Sequence, residues 1–263
     1  MRKLGINFNS VSDISDEAQV KLIAELGFSA VFTGMSDLKH HFELADLFAR
    51  NGLQYETVHA PFGRINNIWL DKEEGDAMEK ELTDCIDICE KVGVPVAIVH
   101  LSSGLTPPPI TDIGRKRFDN VIEHACRKNI CLAFENQRML ANISWVFETY
   151  GADKKVAFCW DCGHEGCFTP GREYMPLFGN RLICLHIHDN YCEFDKDMHM
   201  IPFDGKIDFE KFAGHIRASG FDGSLMLEVF KDFAPVYKDM SSEKFLERAY
   251  KAADKLRKII DLQ

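Results

Sequence analysis

The chain has 263 residues, of which 46% are hydrophobic and 27% charged, and its 41 acidic against 31 basic side chains give a formal net charge of -10. That length holds one large core, and the acidic balance disfavours non-specific attraction to nucleic acid or anionic membrane. No apolar run approaches the roughly 20 residues needed to cross a bilayer, and the opening MRKLGINFNS runs into a strand pattern rather than a secretory signal, so a cytoplasmic location is expected.

In chain order, the first strand is expected over residues 4–8, followed by a helix over 16–26 whose apolar face is read as Ala18, Leu22, Ile23 and Leu26, stopped by Gly27. A strand at 30–33 leads to a helix over 38–50, with Phe42, Leu44, Ala45 and Phe48 on one face. Strands at 55–61 and 96–103 flank a longer helix over 72–92, and the Pro107, Pro108, Pro109 run reads as the rigid loop after the fourth strand. A helix over 111–128 precedes the strand CLAFEN, a helix over 142–150 precedes VAFCWD, and one over 172–178 precedes ICLHIHD. A helix over 209–218, the strand SLMLEV and a helix over 241–260 complete the alternation.

Strand, loop, helix, strand is the pattern of a parallel sheet, and eight of each is the count of an α/β fold of the (β/α)8 TIM barrel type, which accounts for residues 1–263 as a single domain. Residues two apart on a strand share a face, so Ala133 and Glu135, Cys159 and Asp161, His186 and His188, and Met226 and Glu228 form same-side pairs. In each pair the polar member sits near the carboxyl end, where barrels of this kind carry their chemistry. Three buried carboxylates would be strongly destabilising on their own, and a divalent cation relieves that cost. Glu135, Asp161, His186 and Glu228 therefore read as the ligands of one divalent metal ion, and so oxygen-rich a set suits manganese, magnesium or cobalt as readily as zinc.

Such a site can move a hydrogen next to a carbonyl, because a Lewis acid that holds adjacent oxygens stabilises an enediolate while a carboxylate removes the proton. Glu135 and Glu228 are the candidate acid and base; two bases on opposite faces give epimerisation, and one base acting on adjacent carbons gives isomerisation. His164 and His188 are candidates for substrate hydroxyls, and Arg138 for an anionic or hydroxyl group. The nine cysteines are an odd number spread over strands and helices, so they read as reduced thiols. Cys159, Cys162 and Cys167 lack a second Cys-x-x-Cys pair and read as small buried side chains rather than a zinc knot.

The order LAFEN, WDCGH, LHIHDN, HMIPFDGKIDF and GSLMLEV, with TVHAPF and AIVHLSS upstream, resembles the xylose isomerase-like superfamily of sugar isomerases and epimerases, to which the type IV apurinic endonucleases are related. The resemblance implies a metal-dependent isomerase of carbohydrate metabolism acting on a small sugar or keto-polyol, with Glu135, Asp161, His186 and Glu228 on the metal and His164 on the substrate. His59 and His100 match histidines that end strands three and four, and together with His199 they are expected near the substrate. Where ketose 3-epimerases carry an Arg and a second Glu, this chain has Cys192 and Ala141, so substrate contacts differ. The endonuclease branch implies instead three zinc ions, with His59, His100, His164, Asp197 and His199 as further ligands. The acidic balance and the absence of a basic and aromatic wedge favour the isomerase, with no nucleic-acid partner, no membrane partner, and room for a homo-oligomer.

Overall fold

The computed structural model describes residues 1–151 and 155–261. The strands are β1 (Leu4–Asn7), β2 (Ala30–Gly34), β3 (Gln54–His59), β4 (Val96–Val99), β5 (Cys131–Glu135), β6 (Val156–Asp161), β7 (Leu182–His186) and β8 (Leu225–Leu227). The helices between and after them are α1 (Asp16–Leu26), α2 (Leu38–Arg50), α3 (Glu73–Val92), α4 (Asp112–Lys128), α5 (Leu140–Tyr150), α6 (Cys162–Phe168), α7 (Met175–Phe178), α8 (Phe209–Ser219) and α9 (Ser242–Asp261). One parallel sheet runs in the order β7-β6-β5-β4-β3-β2-β1-β8. A parallel bridge between Ile187 and Leu227 links the continuation of β7 to β8, the two strands at the ends of that order.

By contact density the chain divides into two compact units. The first comprises Met1–Thr33, Leu44–Tyr55 and Trp160–Gln263, and the second Gly34–Glu43 and Glu56–Cys159. In the first unit β1 pairs with β2 on one side and β8 on the other, in the register Gly5 to Ala30 and Gly5 to Met226. In the second, β3 to β6 pair in sequence, with Glu135 opposite Cys159 at the end of the β5–β6 ladder. No described helix is long and apolar enough to cross a membrane.

Local signals explain most boundaries. Ser15 caps α1 by accepting from the Ala18 amide, and Gly27 ends it at φ 106°, in the left-handed region that glycine enters without strain. Thr111 accepts from the Gly114 amide at the start of α4, and Asn129 ends that helix at φ 58°. The buried faces differ from expectation in the first two helices. Gln19, Val20 and Ile23 are the buried residues of α1 while Ala18 is exposed, because the Gln19 amide bonds inward to the Phe8 carbonyl and the Ser10 hydroxyl. In α2 the inward stripe is His41, Leu44 and Phe48, and Phe42 is exposed.

Arg117, only 3% exposed, organises the second unit's outer layer. Its guanidinium donates to the carbonyls of Ile68, Leu70 and Lys72 and to Asp76, fixing the turn before α3. Asp76 is largely solvated, so the pair itself contributes little and the three carbonyls carry the effect. Arg117→Ala leaves them without this donor and is expected to cost about 3 kcal/mol in urea unfolding; a loss near zero would show that water replaces the side chain.

Candidate metal centre

In the first unit three strand ends bring ligand atoms together. Asp161 is the last residue of β6 and also the N-cap of α6, its Oδ1 accepting the His164 amide at 2.6 Å. Its carboxylate lies 3.1 Å from His188 Nε2 and 3.6 Å from His164 Nδ1. His186 ends β7 with its ring stacked on Phe32 at 4.7 Å, and its Nδ1 is 3.3 Å from Glu228 Oε2. Glu228 follows β8 and is held in register when its amide donates to the Ile187 carbonyl. Asp161, His186 and Glu228 are buried, and each offers one ligand atom within 4.8 Å of the others. Carboxylates gathered this way beside imidazoles fit a divalent cation, which offsets the cost of burying them.

Beside them, His164, His188, Asp197 and His199 also offer ligand atoms within 4.8 Å of one another. The His199 Nδ1–H donates to the Glu228 carbonyl at 3.0 Å, which turns Nε2 toward Asp197 Oδ2, also at 3.0 Å. Burial by itself would lower the His199 pKa, but the Asp197, Glu228 and Asp161 carboxylates raise it to about 9. Burial conversely would raise Asp197, and His199, His164 and His188 together hold it well below the usual carboxylate range. His188 stacks on His199 at 4.0 Å, and His199 itself sits at φ 43°, a left-handed conformation that its surroundings must enforce.

The loop between β7 and α8 carries Asp197 and His199 and is closed on itself at Asp189. That buried carboxylate accepts the amides of Asn190, Gly205 and Ile207, and the Asn190 side chain donates to the Gly163 carbonyl. A Cβ at Gly205 would lie 2.4 Å from Asp189 Oδ1, so only glycine lets the chain close here. Asp189→Ala is expected to cost on the order of 2 kcal/mol and to speed amide exchange at Gly205 and Ile207; unchanged exchange there would remove this role.

In the second unit, His59 and His100 close around Glu135 at the end of β5. Glu135 Oε2 lies 3.1 Å from His59 Nε2 and 2.9 Å from His100 Nε2, and the two ring nitrogens are 3.2 Å apart. The His59 Nδ1–H donates to the Ala60 carbonyl at 2.8 Å, so a neutral His59 would turn a lone pair toward the carboxylate. Either a proton on that ring or a cation between the groups resolves the conflict, and a carbonyl on the far nitrogen is the usual support of a metal-bound imidazole. Arg138 is half-buried in the loop beyond Glu135, and none of these contacts involves it.

Several neighbours were invisible to motif reading. Gln137 Nε2 lies 3.2 Å from His100 Nε2. The half-exposed Phe62 ring packs on both His59 and His100, and in the first unit Phe230 and Phe233 stack on each other and present their edges to His199. Cys159, Cys162 and Cys167 are buried as expected, and the Cys162 thiol donates to the His188 carbonyl.

The chain is 27% identical to an uncharacterized protein, y4fM, of Sinorhizobium fredii, over 99% of this chain and 87% of that one. Among solved structures it is similar to a D-psicose 3-epimerase with D-tagatose from Clostridium cellulolyticum H10, at TM-score 0.79 and 16% identity, covering 98% of this chain and 99% of that one. A xylose isomerase domain protein from Alicyclobacillus acidocaldarius matches at TM-score 0.76 and 18% identity, over 100% and 99% of the two chains. The sequence profile of the family described as xylose isomerase-like TIM barrel matches residues 20–258. The chain therefore belongs to the xylose isomerase-like TIM barrel family, and its fold is the single-domain α/β (β/α)8 barrel.

Proposed function

We propose that the protein is a divalent-metal-dependent isomerase or epimerase of a small sugar or keto-polyol. The observation that carries this reading is the buried convergence of Asp161, His186 and Glu228 at the ends of β6, β7 and β8. Glu135 completes the ligand set in this reading. Its support is the register: Glu135 pairs with Cys159, two residues before Asp161 on the same strand, so both carboxylates belong to one face of the sheet. The solved sugar epimerase it resembles adds support at the level of the fold.

Manganese, zinc, cobalt or magnesium bound by Glu135, Asp161, His186 and Glu228 would supply a Lewis acid for adjacent carbonyl and hydroxyl oxygens. The protein's own groups do the proton work. Glu228 removes a proton from the carbon beside the carbonyl, and Glu135 returns one to the opposite face for epimerisation. For isomerisation a single carboxylate carries it between neighbouring carbons. Asp161, held by the His164 amide, keeps its position while the proton moves. His164, His188 and His199 bind substrate hydroxyls from one side and His59 and His100 from the other, with Arg138 at the edge. The enzyme is a cytoplasmic protein in which residues 1–263 act as one domain. Incubating it with a panel of ketoses and inososes in deuterated water tests the reaction: exchange at a carbon next to the carbonyl is expected, and none with any of them would reject it.

A second reading is favoured by a specific observation. His164, Asp197 and His199 cluster in one unit and His59, His100 and Glu135 in the other, which is the grouping a three-zinc apurinic-site phosphodiesterase needs. The isomerase is preferred because a formal net charge of -10 is poor for gripping a phosphate backbone. Cleavage of a duplex containing one abasic site would reverse that preference.

A further inference from the structure

Asn7, the last residue of β1, is 2% exposed, and only one end of its side-chain amide is in use. Where β8 runs beside β1, the Leu225 amide donates to the Lys3 carbonyl. Four residues further along both strands, the Val229 amide donates to Asn7 Oδ1 at 2.9 Å, so a side chain stands where the main chain served before. That bond tells the two ends of the amide apart, because only the oxygen can accept. Nδ2, the donor end, is enclosed and has no hydrogen-bond partner among the described residues. A buried donor left idle is costly, and an apolar side chain of the same size would avoid that cost.

Register decides which way the donor faces. Asn7 pairs with Phe32 on β2, and Gly5 pairs with Ala30 and Met226; parallel partners, like residues two apart on a strand, share a face. Ala30, Phe32 and Met226 do pack in one buried cluster, and a Cβ at Gly5 would meet the Met226 sulfur. Asn7 therefore stands on the face that carries Met226 and, two residues later, Glu228, beside the Phe32 ring that stacks on His186. The backbone after it is clamped, since the Gln19 side chain donates to the Phe8 carbonyl and the Ser10 hydroxyl, and the Lys231 amide donates to the Ser10 carbonyl. An amide held in this way is a preset donor beside the proposed ligands.

We infer that Asn7 is a substrate-binding residue that sets specificity, its Nδ2–H donating to a hydroxyl oxygen of the sugar or polyol other than the two oxygens at the reacting carbons. The assignment rests on the isomerase or epimerase reading, in which a metal would hold those two oxygens and leave the remaining hydroxyls to protein donors. A histidine donates or accepts according to its protonation, whereas Nδ2 only donates, so it distinguishes a hydroxyl from a hydrogen at one carbon.

The probe is the ketose or inosose that the wild type exchanges fastest in deuterated water, together with its monodeoxy analogues, each lacking one hydroxyl away from the reacting carbons. Asn7→Asp keeps the shape and the acceptor for the Val229 amide and removes the donor. The ratio of wild-type to variant kcat/KM is expected to be about tenfold larger for the parent compound than for one of the analogues, mainly through KM. The charge that this variant adds acts on every substrate and cancels in the comparison; so does the Val229 bond that Asn7→Leu also loses, and that variant serves if the first does not fold. Independently of turnover, the Asn7 side-chain amide resonance, identified by its loss in Asn7→Asp, is expected to shift when the polyol made by reducing the parent compound is added at a concentration that inhibits exchange. A ratio equal for the parent and all its analogues, an unmoved resonance, or loss of the fold in both variants would make Asn7 a structural residue and overturn the assignment while leaving the reaction standing. No exchange by the wild type with any compound would overturn both.

Discussion

Glu228→Gln is expected to lower the rate of solvent deuterium incorporation into a reacting ketose by about 10²- to 10⁴-fold, the range that a positioned general base contributes. The amide preserves size and can still occupy the space beside His186, whose Nδ1 lies 3.3 Å from the carboxylate. It cannot accept a proton from carbon at neutral pH. The Glu228 backbone contacts with Ile187 and His199 do not involve the carboxylate, so the fold should survive. Thermal unfolding of the variant, measured alongside, separates a chemical loss from a structural one. Wild-type exchange in a folded variant would remove Glu228 as the base and leave Glu135 to act alone.

Gly163→Ala is expected to disable the site without touching any proposed ligand. A Cβ at this position would lie 1.9 Å from His188 Cε1 and 2.3 Å from its Nδ1, far inside contact distance. The His188 ring has little freedom to give way, since it is fully buried, stacked on His199 and directed at Asp161. Relief must therefore come from α6, whose first turn carries both the Asp161 cap and His164. Overpacking of this kind costs about 1 to 3 kcal/mol, and displacing groups that orient metal ligands weakens metal affinity by about 10- to 100-fold. Urea unfolding and metal titration would read the two effects, and a variant matching wild type in both would show that His188 is mobile.

Two helices were legible from sequence to the residue. Ser15 and Gly27 bound α1, and α2 runs over 38–50 as its pattern suggests. Faces were less legible, because a periodicity count scores apolar side chains and misses neutral polar ones that bond inward. His41 faces in because its Nε2 accepts the Ser36 amide, and Phe42 is left exposed by that choice. The helix α6 was missed for another reason. Its sequence, CGHEGCF, carries two glycines and no apolar repeat, and its N-cap is the same Asp161 that reads as a metal ligand. Strand β7 stops at His186 rather than running through the motif, because Asp189 leaves the ladder to form an antiparallel bridge with Met200 and to collect the amides of its own loop.

The four residues proposed as ligands stand out in the sequence because barrel chemistry concentrates polar residues at one end of otherwise apolar strands. Their supports were not. Gln137 near His100, Asp189 beneath the loop and Gly163 beneath His188 act through contacts that no local pattern encodes.

Elemental analysis of protein purified without added metal tests the account most directly. About one divalent ion per chain is predicted, lost on His186→Ala, if Glu135, Asp161, His186 and Glu228 form the proposed ligand set. About three zinc ions per chain, or an ion retained in that variant, would contradict it.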